Sequence, residues 1–298
     1  MTARVALVTG ASRGVGRGVA TALAQAGWTV YGTGRSAERL QGTVDAAAGA
    51  PGEVRPVECD HADDEQVHAV VARIVSETGR LDLLVNNVWT NPKGFMGFNG
   101  RFWERPAGDW DALIGIGLRA HYVASCEAAR IMVPQGSGLI VNISSFGSRS
   151  PFHTVLYGMS KTALDKMASD MAHELTGTGV ATLSLWLGPI RTGLILSLGM
   201  ADFNGFPLAR AEDPTFVGRV IAALADDPAL PRMSGSTVIT AEYGRERGIT
   251  NDDGEVPLSH RGAFGGGPLF PPVPDEQLGI DTVDEVAAAG GHNGFAGT

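Results

Sequence analysis

The sequence has few cysteines, few charged residues and no long apolar run. Its two cysteines, Cys59 and Cys126, are too few for a disulfide framework or a cysteine-rich zinc site, and they favour a reducing, cytoplasmic location. No apolar run approaches the roughly 18–20 residues of a membrane-spanning helix. The opening segment MTARVALVTG is too short and too weakly basic for a secretory signal.

Basic residues are also scarce. Lys and Arg total 23 against 32 Asp and Glu, which gives a net charge of −9. Binding to a nucleic-acid backbone or to an anionic membrane requires a basic surface, so we expect neither as a partner. Glycine is instead abundant, at 41 residues, and suits tight turns or backbone that lies close to a ligand.

Strand-like and helix-like segments alternate along the first 240 residues. Short apolar runs bounded by glycine are typical of buried strands, and apolar residues at helical spacing follow them. We predict strands at 5–8, 28–31, 54–57, 81–85, 138–143, 180–186 and 235–240, and helices at 16–26, 67–75, 110–132 and 154–175. The alternation predicts an α/β fold, a Rossmann-type doubly wound parallel sheet of about seven strands with helices on both faces.

Two apolar, glycine-containing segments interrupt the alternation, at 91–106 and 193–210. They are candidate lids or pocket walls, and core packing beneath a loop is the alternative. We expect residues 1–250 to form a single dinucleotide-binding and catalytic domain with the substrate lid at about 193–210. Residues 251–298 form a Gly/Pro-rich C-terminal extension, which we expect to lie against its own body or a partner subunit.

A glycine-rich loop lies between the first predicted strand and helix, with the sequence Thr9-Gly-Ala-Ser-Arg-Gly-Val-Gly16. Glycine lets the backbone turn sharply and approach a pyrophosphate, and the helix that follows offers free N–H groups. The predicted cofactor-binding residues of this loop are Gly10, Ser12, Arg13, Gly14, Val15 and Gly16.

The end of the second predicted strand bears on the choice of cofactor. An NAD-specific site usually has an acidic residue about 20 residues past the loop. Here the segment 32–36 carries no acid, and Arg35 joins Arg13. Two guanidinium groups suit a 2′-phosphate, so we expect NADP(H) to be preferred, with NAD(H) still possible. The alternative is that both arginines are solvated surface charges.

Tyr157 and Lys161 are spaced four apart on the predicted helix 154–175, so both side chains lie on one face. The lysine ammonium is expected to lower the pKa of the tyrosine and make it a general acid/base. Ser144 and Ser145 end the preceding strand, at the edge where such sheets bind ligands. A serine hydroxyl there can hydrogen-bond a substrate carbonyl.

Two other kinds of chemistry find no support in the sequence. The fifth predicted strand is not followed by the Gly-x-Ser-x-Gly pattern of an esterase. The seven histidines show no metal-ligand spacing, so we expect no catalytic metal.

Together these motifs resemble the short-chain dehydrogenase/reductase family, over about residues 1–240. The matching segments are Thr9–Gly16, Asp60, Asn86–Asn87, Asn142–Ser145, Tyr157–Lys161 and Gly188–Thr192. Within the family, the sequence is most similar to the branch typified by dehydrogenase/reductase family member one. This second resemblance is carried by Phe102–Ala107, Gly117–Tyr122, Met132–Pro134, Gly138–Val141 and Asp170–Leu175.

The resemblance implies hydride transfer at a nicotinamide between a carbonyl and an alcohol, both small molecules. Ser145 would orient the carbonyl, Tyr157 would move the proton, and Lys161 would tune Tyr157 and bind the nicotinamide ribose. The other implied cofactor contacts are Arg13 and Arg35 at the 2′-phosphate, Asp60 and His61 at the adenine, Asn87 at the adenosine ribose, and Ile190 and Thr192 at the carboxamide. For Asp60, an acid at a helix N-terminus is the alternative. The family also implies a homodimer or homotetramer.

The sequence departs from the family pattern in four places. After the sixth predicted strand, Leu187-Gly188-Pro189 stands where the family usually has Pro-Gly. Gly117 stands where the family often has an asparagine that helps position the lysine, and Trp89 brings a large ring into the Asn-Asn motif. Ser145 precedes Tyr157 by one residue fewer than the family spacing, which Ser144 matches. We choose Ser145 because the Asn-Ile-Ser-Ser pattern aligns its second serine.

We therefore expect an NADPH-dependent oxidoreductase that interconverts a carbonyl and an alcohol, on a bulky hydrophobic ketone or aldehyde. The expected walls of its apolar pocket are Trp89, Phe95, Phe98, Phe102, Trp103, Phe146, Phe152, Trp186, Phe203 and Phe206, and core packing would explain several of them equally well. A catalytically silent NADP(H)-binding sensor or interaction protein is the alternative. An epimerase or dehydratase shares the Tyr-x-x-x-Lys motif but usually has a different glycine loop.

Overall fold

The computed structural model describes residues 3–90 and 101–265. The main sheet contains strands β1 (Val5–Val8), β2 (Thr29–Gly34), β3 (Glu53–Glu58), β4 (Leu83–Asn86), β5 (Gly138–Ser145), β6 (Val180–Leu187) and β9 (Thr237–Ile239). The helices are α1 (Gly14–Gln25), α2 (Ala37–Ala46), α3 (Asp64–Thr78), α4 (Ala120–Gln135), α5 (Val155–Glu174), α6 (Gly193–Ser197), α7 (Pro214–Ala225), α8 (Leu230–Met233), α9 (Thr240–Glu246) and α10 (Arg261–Phe264). Strands β7 (Asp202–Phe203) and β8 (Phe206–Pro207) form a separate hairpin.

The seven strands are all parallel, in the order β3-β2-β1-β4-β5-β6-β9. The chain winds outward from β1 to β3, then returns to β4 on the other side of β1. This reversal leaves a crevice at the carboxyl ends of β1 and β4, where ligands bind in open α/β sheets. The predicted doubly wound Rossmann-type sheet is confirmed.

The two faces of the sheet are covered by different helices because strand side chains alternate between faces. In β1, Ala6 and Val8 pack in the core beneath α1 and α7. Val5 and Leu7 pack in the opposite core, beneath α3 and α4. The strand is buried on both faces, which explains why it is an uninterrupted apolar run.

The four expected helices are present as α1, α3, α4 and α5, with ends that differ by a few residues apart from the start of α4, and the structure adds the longer helices α2 and α7 and the short helices α6, α8, α9 and α10. The long helix expected from residue 110 begins differently: Asp111–Arg119 is a π-helix, and regular α-helix begins only at Ala120. A π-helix is bonded i→i+5 and has more residues per turn than an α-helix, but nine residues make only about two turns, which is too short a pattern to distinguish the two.

The segment 193–210 folds as α6, the β7–β8 hairpin and a short 3-10 helix, Leu208–Arg210. The extension is described as far as residue 265, and this part lies against the body: Leu258 N donates to Arg210 O at 2.9 Å, and Ser150 Oγ donates to Phe264 O at 2.8 Å. The rest of the extension and most of the segment 91–106 lie outside the described residues.

Helices α1 and α7 touch at a glycine. A Cβ atom placed on Gly18 would lie 2.2 Å from the backbone carbon of Pro214. We therefore predict that Gly18→Ala lowers the free energy of unfolding by about 1–3 kcal/mol, because the two helices must move apart. Urea denaturation measures the change. Gly262→Ala, where nothing lies within 4 Å of the added Cβ, is the matched control and should change stability little.

Candidate active site

A cavity of about 1140 Å³ opens at the carboxyl ends of β1, β4, β5 and β6. It runs from the glycine loop at one end to Phe203 and Leu208 of the segment 193–210 at the other. Single small-molecule pockets usually measure about 300–1,000 Å³. The cavity is therefore large enough for a long ligand and a second, smaller one.

The glycine loop forms one end of the cavity and leads into the N-terminus of α1. Gly10 has a φ of +70°, which glycine adopts without strain. A Cβ on Gly16 would lie 2.3 Å from Gly10 O, so no larger residue fits this turn. Asn87 supports the loop from β4, since its Nδ2 donates to Thr9 O at 2.8 Å and Gly10 O at 3.2 Å. All six predicted loop residues line the cavity.

Two exposed guanidinium groups line the same end of the cavity. Arg13 lies in the loop and Arg35 follows β2, and neither has an ion-pair partner within residues 3–90 and 101–265. Arg39 of α2, which the sequence analysis did not single out, also lines the cavity. The sequence did contain a signal for Arg39: it lies four residues after Arg35, on the helix that follows β2, and could therefore have been predicted to join the same basic group.

Asp60 and His61 line the cavity beyond the end of β3. Asp60 is not the N-terminal residue of a helix, because the side chain of Asp63 caps α3. The imidazole of His61 lies 2.7 Å from Thr33 Oγ1. Burial lowers the pKa of His61 to about 4, so the ring is neutral at neutral pH.

Tyr157 lies in the first turn of α5. Thr154 caps this helix, accepting a hydrogen bond from Tyr157 N at 3.2 Å. The Tyr157 hydroxyl is hydrogen-bonded to Ser145, at the end of β5. Ser144 points elsewhere and donates to Lys161 O at 3.1 Å. The fold thus brings Tyr157 together with Ser145 and not with Ser144.

Lys161 is buried one turn further along α5. Its Nζ donates to Ile143 O at 2.9 Å and lies 5.7 Å from the centre of the Tyr157 ring. Burial raises the pKa of Tyr157 to about 12, which the hydrogen bond to Ser145 opposes. This direction is opposite to the expected lowering, because desolvation of the buried phenol is the largest influence on its pKa. Burial also lowers the pKa of Lys161 to about 8.

Ile190 and Thr192 line the cavity after β6, where the buried carboxyl of Glu212 fastens the chain. Gly188 N donates to Glu212 Oε1 at 2.9 Å. Thr240 Oγ1 lies 2.7 and 2.8 Å from the two carboxyl oxygens, and 3.1 Å from Trp186 O. One hydroxyl proton serves only one of these acceptors, so a protonated Glu212 completes the network by donating to Thr240. Burial raises the pKa of Glu212 to about 7.

Aromatic side chains line the cavity near Tyr157, and the structure divides the expected set. Those that line it are Trp89, Phe146, Phe152 and Phe203. Phe102 and Trp103 do not: they are 63% and 66% exposed, away from the cavity. Trp186 and Phe206 are buried in small hydrophobic clusters instead: Trp186 packs with Phe146 and Ile239, and Phe206 packs with Leu208 and Ala211. Phe95 and Phe98 lie outside the described residues.

Trp89 occupies the space above Gly117. A Cβ on Gly117 would lie 3.1 Å from Trp89 Cδ1, and the indole meets the ring of Tyr157 edge-on, with centroids 6.1 Å apart. The two departures from the family pattern are therefore in contact. His153, also not singled out from the sequence, lines the cavity with its ring centre 4.9 Å from that of Tyr157.

The geometry suits a dinucleotide. The glycine loop leaves no room for a Cβ at Gly16, and glycine at such a position lets the backbone come close to a phosphate. Arg13 and Arg35 line the same end of the cavity, and within residues 3–90 and 101–265 neither has a carboxylate partner. Comparison with known proteins agrees: the sequence profile of the short chain dehydrogenase family matches residues 4–199. The chain belongs to this family of NAD(P)-dependent oxidoreductases.

Individual relatives support the assignment. Dehydrogenase/reductase SDR family member 1 from Mus musculus is 39% identical over 265 residues, which is 85% of each chain. A 3-oxoacyl-[acyl-carrier-protein] reductase from Thermotoga maritima is 32% identical, over 75% of this chain and 91% of its own. The crystal structure of a metagenomic short-chain oxidoreductase in complex with NADP aligns with a TM-score of 0.64 and 29% identity, covering 76% of this chain and 91% of the other. The expected resemblance, including the branch, is confirmed.

None of the helices in residues 3–90 and 101–265 is both long and apolar enough to cross a membrane. In that part of the chain, no three His, Cys, Asp or Glu side chains are grouped as a metal site would require.

Glu212 gives a testable pH dependence. Its folded pKa of about 7 exceeds the usual 4.5, so its contribution to stability is fully present below pH 4.5 and is lost as the pH rises through 7. Glu212→Gln keeps the neutral hydrogen-bonding pattern at every pH. We predict that its Tm, relative to the unmutated protein, rises by several degrees between pH 5 and 8 in thermal melts. Glu246→Gln, at an exposed position, should show no such trend.

Proposed function

We propose that this protein is an NADPH-dependent carbonyl reductase, or the reverse alcohol dehydrogenase, acting on a bulky hydrophobic ketone or aldehyde. Tyr157 is its general acid/base, Ser145 orients the carbonyl oxygen, and Lys161 stabilises the developing phenolate charge. A bound nicotinamide supplies or accepts the hydride. Bound there, it would contact Ile190 and Thr192, with Asn87 and Asp60 toward the adenosine.

This proposal rests on the hydrogen bond between Tyr157 and Ser145. Both residues line the cavity that also contains the glycine loop. A carbonyl oxygen that accepts from both hydroxyls is held where the tyrosine proton can reach it. With a pKa near 12, the phenol keeps its proton at neutral pH. Lys161, with a pKa near 8, is mostly ammonium there. Both states suit proton donation, and therefore reduction.

The preference for NADPH rests on Arg13 and Arg35. Both are exposed at the loop end of the cavity, and in the described residues neither is neutralised by a carboxylate. A 2′-phosphate between them would be bound by charge-assisted hydrogen bonds. The solved relative that contains NADP agrees with this choice.

The aromatic wall favours an apolar substrate. Phe146, Phe152 and Phe203 surround the space next to Tyr157, and Leu194 and Ile195 of α6 lie across from them. The hairpin and α6 would act as the substrate lid. The docked start of the extension packs against this wall, since Phe264 stacks on Phe146 with centroids 4.7 Å apart. We also expect a homodimer or homotetramer.

One observation favours the alternative, a silent NADP(H)-binding sensor. The Lys161 ammonium donates to Ile143 O, and the pKa of Tyr157 is raised rather than lowered. For the reductase, the same neutral phenol is the form that donates its proton to a carbonyl oxygen. For a sensor, no proton transfer is required of it.

Tyr157→Phe separates the two functions. We predict at least a hundredfold loss of NADPH oxidation with a panel of ketones, aldehydes and quinones, because the proton donor is gone. NADPH binding should persist. Tyr122→Phe, at an exposed tyrosine of α4, is the control and should keep full activity. If the unmutated protein oxidises no NADPH with any member of the panel, the sensor is favoured.

Arg35→Ala tests the choice of cofactor. We predict an increase of about tenfold or more in the Kd for NADPH, with that for NADH nearly unchanged, because only the phosphorylated cofactor loses a charge-assisted contact. Fluorescence titration measures both constants. Arg232→Ala, at an exposed arginine away from the cavity, should change neither. Equal or tighter NADH binding by the unmutated protein would contradict the preference.

A further inference from the structure

Asp165 is a buried carboxylic acid on the same helix as Tyr157 and Lys161. The three residues are spaced four apart in α5, so their side chains leave the same face at successive turns. Asp165 is 0% exposed and Lys161 is 5% exposed. An isolated buried charge is costly, so each of these groups needs a compensating partner.

The hydrogen bonds to Asp165 favour its ionised form, while its burial raises its pKa overall. Trp186 Nε1 donates to Oδ2 at 2.9 Å, and the Ser184 hydroxyl donates to Oδ1. An indole N–H is a donor only, and carboxylates that accept several hydrogen bonds retain their charge more readily. Burial raises the pKa of Asp165, and the hydrogen bonds from Ser184 and Trp186 oppose this rise.

Other groups near the pair do not supply a negative charge. The acceptor for Lys161 Nζ, Ile143 O, is a neutral carbonyl. From α4, His121 has its pKa lowered to about 3 by burial and by Lys161, so it is neutral. From the extension, His260 lies 6.2 Å from Trp186, ring centre to ring centre, and burial lowers its pKa to about 4. The phenol of Tyr157 is neutral too. Asp165, whose charge raises the pKa of Lys161, is left as the compensating group.

We propose that Asp165 is the buried counter-charge that keeps Lys161 protonated beside Tyr157, an inference that rests on the catalytic roles proposed above. Asp165 touches neither substrate nor cofactor. It is a positioning residue that acts through the charge of Lys161. The β6 side chains Ser184 and Trp186 fix the position of its carboxylate by donating hydrogen bonds to it.

The sequence offers a direct readout, because it contains only three lysines: Lys93, Lys161 and Lys166. Protein labelled with ¹³C at lysine Cε gives three NMR signals, and Lys161→Met identifies the one from Lys161. We predict that Asp165→Asn lowers the pKa of Lys161 by about one unit or more, since an isosteric amide removes the charge. The exposed Lys166, which pairs with Asp170, should titrate as before.

Ser184→Ala is the matched control. It removes one hydrogen bond to the same carboxylate and leaves the charge, so the Lys161 titration should move far less than in Asp165→Asn. An equal shift in both variants, or no shift in Asp165→Asn, would overturn the proposal, because the effect would then come from packing or be absent.

Activity gives a second readout. In Asp165→Asn, the pH at which kcat/KM for NADPH-dependent reduction falls on the alkaline side should be lower by about one unit. At pH values above the transitions of both proteins, kcat/KM of the variant should be about tenfold lower than that of the unmutated protein, and below them the two should be equal. A merely structural role would lower the rate at every pH without moving the transition, and that result would contradict the proposal.

The unmutated protein provides a test that needs no folded variant. Its Lys161 signal should show a small second inflection at acid pH, where Asp165 takes up a proton, and a single-step titration would refute the pairing. The proposed function fails differently: full NADPH oxidation by Tyr157→Phe would refute the catalytic roles while leaving the coupled titration of Lys161 and Asp165 in place.

Discussion

The hydrogen bond from Lys161 Nζ to Ile143 O ties the helix of Tyr157 to the strand of Ser145. Ser144 Oγ adds a second link between them by donating to Lys161 O at 3.1 Å. The bond from Lys161 Nζ is made in a buried setting, where losing it would leave an ammonium group without an acceptor. The relative placement of phenol and hydroxyl therefore depends on a lysine that also carries the charge next to them.

The rest of the site follows from where parallel strands end. Strands β1, β4, β5 and β6 finish at the same edge of the sheet, and each delivers one part of the cavity. The chain reversal around β1 opens the space between these ends. Residues that are distant in sequence, such as Gly10 and Ser145, thus face one cavity without any loop having to cross the sheet.

The sequence predicted those features that arise from local spacing. The glycine loop, the Tyr157–Lys161 pair and the alternation of strands and helices are each visible within a few turns of chain. Asp165 and Glu212 were not predicted because their partners, Trp186 and Thr240, lie more than 20 residues away and come near only in the fold.

Electrostatics was the least predictable property. The four-residue spacing placed the ammonium near the phenol correctly, yet the pKa of Tyr157 moves upward because burial outweighs the neighbouring charge. Desolvation depends on everything packed around a group, including Trp89 in place of a small residue.

Helix α2 was not predicted because it has few buried positions, Leu40 and Thr43, which give only a weak periodic signal in the sequence.

The docking of the extension has a consequence for the order in which the protein matures. Phe264 stacks on Phe146, the neighbour of Ser145, and Ser150 holds its carbonyl oxygen. All seven strands of the sheet are synthesised before Phe264, so its stacking on Phe146 is among the last contacts that the described part of the growing chain can make.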